Sequence, residues 1–387
     1  MSSWKECKLG DIAEILNHVR VPLSAMERVK KQGNFPYYGA SGIIDYVDDY
    51  LFDGEYVLIS EDGENLKSRK TPIAFKASGK FWVNNHAHIV QGKKPFLNDL
   101  IVYFFKNLDL NEYITGAVQP KLNKANLLEI PFYLPESEEE QKAIAEVLSS
   151  LDDKIDLLHR QNQTLESLAQ TLFRQWFIEE VKEEWEIKFS DAPIQIIDGD
   201  RGNNYPKNSD FFTNEHCLFL SARNVTKNGF DFLDCQFITK ERDELLRKGK
   251  LSRNDVVLTT RGTVGNIAYY HELIPFENIR INSGMVILRA DETKISPLYL
   301  YILMKSPLFG ESVIEHTSGS AQPQLPIRDL NNVSFILPSK DIYNNFMEQV
   351  EPIYSKVFSN QKQIQTLENL RDTLLPKLLS GEVRVYI

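Results

Sequence analysis

Apolar residues recur at two different periods along the chain, and the change of period marks its parts. Short runs such as EYVLIS (55–60), PIAFKA (72–77), DVVLTT (255–260) and GMVILRA (284–290) alternate or are wholly apolar. Gly, Asn and Asp cut them, which predicts strands joined by turns. DLIVYFFKNL (99–108) and PLYLYILMKS (297–306) predict short helices among these strands, so each such region is mixed α+β. A proline-ended strand then gives way to a long helix twice, at LPESEEEQ (134–141) and LPSKDIYN (337–344). Acidic residues gather at the start of the first of these helices, where they complement its exposed N–H groups and dipole.

Both long helices keep a 4,3 apolar spacing. The first has Ile144, Leu148, Leu151, Ile155, Leu158, Leu165, Ala169, Leu172 and Trp176, with Asn162 in the one polar slot. The last has Phe346, Val350, Ile353, Val357, Ile364, Leu367 and Leu374, with Asn360 and Arg371 in polar slots. A seven-residue repeat of this length predicts a left-handed coiled coil, and about forty helical residues span roughly 60 Å. In an antiparallel pair an a residue faces a d residue, and a buried Asn is costly unless it meets a polar partner. Asn162 falls at a and Asn360 at d, so pairing them sets a register in which facing numbers add to 522. That register puts Leu148 on Leu374, Ile155 on Leu367, Leu165 on Val357 and Trp176 on Phe346. Arg371 meets Leu151, with its stem over the leucine and its head expected in solvent. Sliding by a heptad leaves Asn162 against Leu367 or Ile353, so the amides are expected to lock the register.

The chain also repeats itself, which is decisive for its architecture. TGAVQPKLNKANLLEIPFYLP (115–135) aligns without a gap on SGSAQPQLPIRDLNNVSFILP (318–338), and QNQTLESL (161–168) on QIQTLENL (363–370). Upstream, GEYVLIS aligns on NDVVLTT and WVNNHAHIV on RINSGMVIL. The expected organisation is therefore a domain at 1–135, a central helix at 136–184, a second domain at 185–338, and a C-terminal helix and tail at 339–387.

Charge qualifies this picture. A net −10 argues against phosphate binding, yet residues 136–184 alone carry 13 acidic and 5 basic side chains. The remainder is close to neutral and leaves room for a local basic groove. Cys7, Cys217 and Cys235 lie far apart without CxxC spacing, which argues against a disulfide framework or zinc ribbon. MSSWKECKLGD lacks a signal-peptide pattern and no run reaches eighteen apolar residues, so a cytoplasmic protein without a membrane span is expected.

These segments resemble a Type I restriction-modification specificity (S) subunit over essentially the whole chain. The resemblance rests on LPESEEEQKAIAEVLSSLDDKIDLL continuing to LESLAQTLFRQWF, and on the ending LLPKLLSGEVRV. It rests also on YYGASGIIDYVDDYLFDGEYVLISEDG and GKFWVNNHAH in the first domain, and on LSARNV, TTRGTVGN and SGSAQPQL in the second. One departure is the start KDIYNNFMEQV of the last helix, where the Glu-Gln pair comes later than in the first copy. The resemblance implies two pseudo-symmetric target-recognition domains joined by two long antiparallel coiled-coil helices. It further implies reading of a split, asymmetric double-stranded DNA target, with half-sites about one turn, roughly 34 Å, apart. The implied partners are two modification (methyltransferase) subunits and, through the complex, restriction (translocase/nuclease) subunits. The chain itself would be non-catalytic and without cofactor. A coiled-coil scaffold whose two domains bind peptide or protein is the alternative, and an enzyme acting on DNA a third class.

Base reading favours guanidinium, ammonium, amide and hydroxyl groups on loops held by a sheet. Candidates in the first domain are Tyr37, Tyr38, Asn65, Lys67, Ser68, Arg69, Lys70, Lys121 and Lys124. In the second they are Arg201, Asn203, Asn204, Lys207, Arg223, Asn224, Arg261 and Gln324. Each is equally a solvated or turn-forming side chain taken singly; the clusters count for more. Gln119 and Gln322, common to both copies, are expected to shape loop ends. His86 and His88 sit at i, i+2 without a third ligand nearby, so a metal site is not expected. Arg261-Gly262-Thr263-Val264-Gly265-Asn266 lacks the Gly-Lys-Ser/Thr of a phosphate loop, and no Asn/Asp-Pro-Pro-aromatic motif for a flipped base occurs. Glu186-Ile187-Lys188 has nuclease-like spacing but no preceding Pro-Asp.

Overall fold

A computed structural model describes residues 3–116, 119–180, 182–319 and 322–385. Ala117-Val118 and Ser320-Ala321, within the aligned repeat, lie outside the described residues. The chain packs as two units, 1–156 with 365–387 and 157–364. The expected boundaries set the helices apart as separate segments; instead each unit takes a share of the central helix (Glu138–Arg174) and of the C-terminal helix (Lys340–Ser380). The helix stripes supply part of each unit's core, which is the physical reason for that division.

Unit 1 contains strands β1 (Trp4–Lys8), β2 (Ala13–Ile15), β3 (Gln32–Gly39), β4 (Gly42–Val47), β5 (Phe52–Ser60), β6 (Ala74–Val83), β7 (Ala87–Gly92) and β8 (Pro131–Pro135). Six form one sheet in the order β2-β7-β5-β6-β3-β4, and β1 pairs antiparallel with β8. Residues 57–60 of β5 are all buried because both faces are covered. Successive side chains of a strand point to opposite faces. Val57 and Ile59 accordingly join the core beneath helix Pro95–Asn107, whereas Leu58 joins Phe52, Phe81, Val83 and Ile89 on the other side. Fully burying each such aliphatic stabilises by roughly 1.5–3 kcal/mol.

Unit 2 contains β9 (Glu186–Lys188), β10 (Ile194–Asp198), β11 (Cys217–Leu220), β12 (Val225–Thr226), β13 (Gly229–Phe230), β14 (Phe237–Ile238), β15 (Val256–Thr259), β16 (Ile267–Tyr269), β17 (Ile279–Ile281), β18 (Met285–Ala290) and β19 (Ser334–Ile336). The orders are β10-β18-β15-β16, β14-β11-β17, β12-β13 and β19-β9. The same division by alternation recurs: Val256, Leu258, Val286 and Leu288 enter one core, and Val257, Met285 and Ile287 the other. Glu186-Ile187-Lys188 is simply β9, whose pairing with β19 repeats that of β1 with β8.

The two long helices run antiparallel within each unit. In unit 2, Asn360 Nδ2 donates to Asn162 Oδ1 at 2.9 Å, and the Trp176 and Phe346 rings lie 6.4 Å apart. In unit 1, Arg371 donates to Asp152 at 2.7 Å. Its guanidinium also bonds Asp372, so the head expected in solvent is held by two carboxylates, one of them also taking the Tyr103 hydroxyl. Away from the Asn layer the buried stripe drifts by one position: Phe173, Phe177 and Tyr354 are fully buried, while Leu172, Trp176 and Ile353 are only partly so. A straight helix turns every 3.6 residues and departs from a strict heptad. The central helix also ends in a π turn, Gln175–Glu179, where Phe177 meets Tyr299 and Phe346.

Candidate nucleic-acid interface

Strand pairing corrects the sequence alignment by one residue at the centre of each domain. Ser60 pairs with Ala87 and Thr259 with Met285, so Ser60 corresponds to Thr259 and not to Thr260. Glu61-Asp62-Gly63 then falls on Thr260-Arg261-Gly262. Gly63 and Gly262 both have positive φ, 108° and 76°, a region that favours glycine.

Around these residues the two units build the same backbone cluster. Asp62 bridges Lys121 and Arg261 bridges Gln324; Thr115 and Ser318 close the hairpins by bridging the same two residues. Leu122 N–H donates to the Glu61 carbonyl at 2.8 Å, and Leu325 N–H to that of Thr260 at 2.9 Å. A third segment, the turn before β7 or β18, completes each cluster. There Asn84 Oδ1 accepts from His86 N–H, as Asn282 Oδ1 accepts from Gly284 N–H, both at 2.8 Å. Glu61 N–H donates to the His86 carbonyl and Thr260 N–H to that of Gly284. An arginine from a fourth segment reaches the middle carbonyl of each turn: Arg20 that of Asn85 at 3.3 Å, Arg201 that of Ser283 at 3.4 Å.

The side chains on this shared frame differ. In unit 1, Glu61 accepts from Arg20 at 2.7 Å and faces Lys121 at 3.3 Å. Burial opposes the Glu61 charge, but the Arg20 hydrogen bond and charge, with Lys121, hold its carboxyl below the usual range. His88 is buried, and its Nε2 must donate to the Leu122 carbonyl at 2.7 Å. Its Nδ1 is left to accept from Asn17 at 2.8 Å, and burial pushes its pKa down, so it stays neutral. His86 Nδ1 donates to both Asp62 oxygens, at 2.8 and 3.0 Å. In unit 2, Arg261 is exposed, and among the described residues neither its guanidinium nor the Gln324 amide has a hydrogen-bond or ion-pair partner.

Other candidates fall in different places. Tyr37 is buried, with its hydroxyl on the Leu23 backbone, and Asn224 is buried with its amide on Asp231 and Asp234 carbonyls. Both are corrected to structural roles, because neither side chain reaches solvent. Arg69 donates to the carbonyls of Phe105, Lys106 and Leu108, capping helix Pro95–Asn107, and Asn65 ties both backbone groups of Thr71; these too serve the fold. Tyr38 is half-buried against Phe75 and Phe81. Asn204 donates to the Leu245 carbonyl, and Arg223 faces Asp234 at 3.7 Å. Lys67, Ser68, Lys70, Lys124, Asn203 and Lys207 are exposed. The structure thus unites Arg201, Arg261 and Gln324, and sets Lys121 in the equivalent place. Sequence reading did not single out Arg20, Glu61 or Asp62 and weighed His86 only as a metal ligand; the repeat, aligned through the glycines, carried the signal for them. Among the described residues no group of His, Cys, Asp and Glu is arranged to hold a metal ion. Among the same residues no helix is long and apolar enough to cross a membrane.

A model of the Type I restriction modification DNA specificity domain matches residues 1–167 and again 196–369. The chain belongs to this family. Among specificity-subunit relatives, the Type I restriction enzyme MjaIX specificity subunit of Methanocaldococcus jannaschii is 26% identical, over 99% of this chain and 94% of its own length. The HindI specificity subunit of Haemophilus influenzae is 24% identical over 99% and 100%. The crystal structure of a Type I restriction-modification S subunit from M. genitalium matches 97% of this chain and 96% of its own with a TM-score of 0.62. At 16% identity it shows that the fold is shared. Each of the two family matches contains one copy of the cluster.

Proposed function

We propose that this chain is the DNA-reading, non-catalytic subunit of a Type I restriction-modification complex, working in the cytoplasm. Each unit reads one half of a split, asymmetric target. The long helices carry two modification subunits, and restriction subunits join through the complex. The observation that supports this reading best is one backbone cluster built twice with different side chains. A repeated frame with divergent functional groups suits two related half-sites of different sequence, whereas a scaffold binding one kind of partner twice needs no such divergence.

The test is a domain exchange. Replacing residues 1–135 by another recognition domain, in cells that also carry the modification subunit, changes one half of the methylated target. An unchanged target, or changes in both halves, rules out independent reading. Duplex binding by the complex that lacks any salt dependence points instead to the protein scaffold.

A further inference from the structure

We propose that Asp62 in unit 1 and Arg261 in unit 2 are equivalent base-reading positions, and that their exchange makes the two half-targets differ. This rests on the DNA-reading function above and goes further by naming the residues and the base edges. Three independent backbone features make the positions equivalent: the bridges to Lys121 and Gln324, the positive-φ glycine that follows, and the Asx turn alongside. Each position therefore attaches its side chain at the same place on the frame, Arg261 exposed and Asp62 partly covered with both oxygens facing His86.

The chemistry at that place is opposite. Among the described residues Arg261 is an unpartnered guanidinium next to an unpartnered Gln324 amide. A free planar fork suits the paired N7 and O6 acceptors of guanine, and an amide suits the donor and acceptor of a neighbouring adenine. Asp62 is an acceptor-only carboxylate, oriented by the half-exposed His86 imidazole that donates to it. It repels phosphate and takes a base that offers an exocyclic amino group, cytosine or adenine. Lys121 at its side is turned to Glu61 and supplies the local positive charge.

The experiment uses the full chain assembled with its modification subunit, methylating a duplex library with both half-targets randomised. Arg261→Gln is expected to erase a guanine preference at one position of one half-target by about 5- to 150-fold, leaving the other half unchanged. Asp62→Asn, nearly isosteric, is expected to relax one position in the other half by a similar factor. Should Asp62→Asn lower the melting temperature, His86→Phe replaces it; it keeps a ring but withdraws the donor that orients the carboxylate, and must weaken the same position. Unaltered preferences overturn the proposal. So does uniform weakening with a shallower salt slope, which marks phosphate contacts. Wild-type complex that binds duplex without sequence preference refutes the DNA-reading function itself, a different failure.

Discussion

Replacing the amides of the Asn162–Asn360 layer one at a time and together tests how the coiled coil is specified. Asn360 is fully buried, and its Nδ2 depends on Asn162 Oδ1 at 2.9 Å, with only a marginal second acceptor at Gln161, 3.5 Å away. Its Oδ1 has no partner among the described residues. Asn162→Leu therefore strands the Asn360 Nδ2 beside an Oδ1 that already lacks a partner, and a stranded buried polar group costs about 1–3 kcal/mol, so a loss of that size is expected. Asn360→Leu strands only Asn162 Oδ1, because Asn162 Nδ2 keeps the Val357 carbonyl at 3.3 Å. It also removes an oxygen that was already unsatisfied, so its cost is expected within about 1 kcal/mol of zero. The double leucine variant removes the whole polar layer and gains apolar burial of about 1.5–3 kcal/mol per side chain, which returns stability to the wild-type level or above. The asymmetry and the coupling are both read by urea unfolding followed through helical circular dichroism. A double-mutant coupling below about 0.5 kcal/mol, or Asn360→Leu costing more than Asn162→Leu, refutes the reasoning.

Three further outcomes are expected. His271 stacks on Phe358 at 4.2 Å, and burial pushes its pKa down to about 4. From about pH 6.5 down to 4 the unfolded chain binds the extra proton, so stability falls as pH falls, by up to about 3 kcal/mol. His271→Phe flattens denaturation midpoints over that window, and an unchanged slope counts against the buried neutral imidazole. Arg69→Ala uncaps helix Pro95–Asn107 and lowers unit 1 stability by about 1–2 kcal/mol while sparing the salt slope of DNA binding; intact stability with a changed slope reverses that assignment. Lys67→Ala with Lys70→Ala, both exposed, lowers the slope of log affinity against log salt by up to about 1.8 without altering base preference. An altered preference in the methylated target moves these lysines from backbone to base contact.

The amino-acid sequence alone determined the features that depend on short-range periodicity. The 4,3 stripe, the two Asn slots and the α+β runs are legible because a helix or strand presents every third-to-fourth or every second residue to its neighbour. The 203-residue repeat was visible in the hairpin and helix segments, where the frame itself is retained. Tertiary structure decided what each loop side chain does. Arg69 and Asn65 read as basic and amide loop residues, but the backbone groups they satisfy lie 37 and 6 positions away in sequence. Burial of Tyr37 likewise depends on Trp82, which linear order does not place beside it. The shared polar cluster is drawn from four separate segments in each unit, and its alignment turned on one residue that only strand register fixes. A slip of one in a strand moves each side chain to the opposite face, so the equivalence of Asp62 with Arg261 had to come from hydrogen-bond pairing in space rather than from resemblance in sequence.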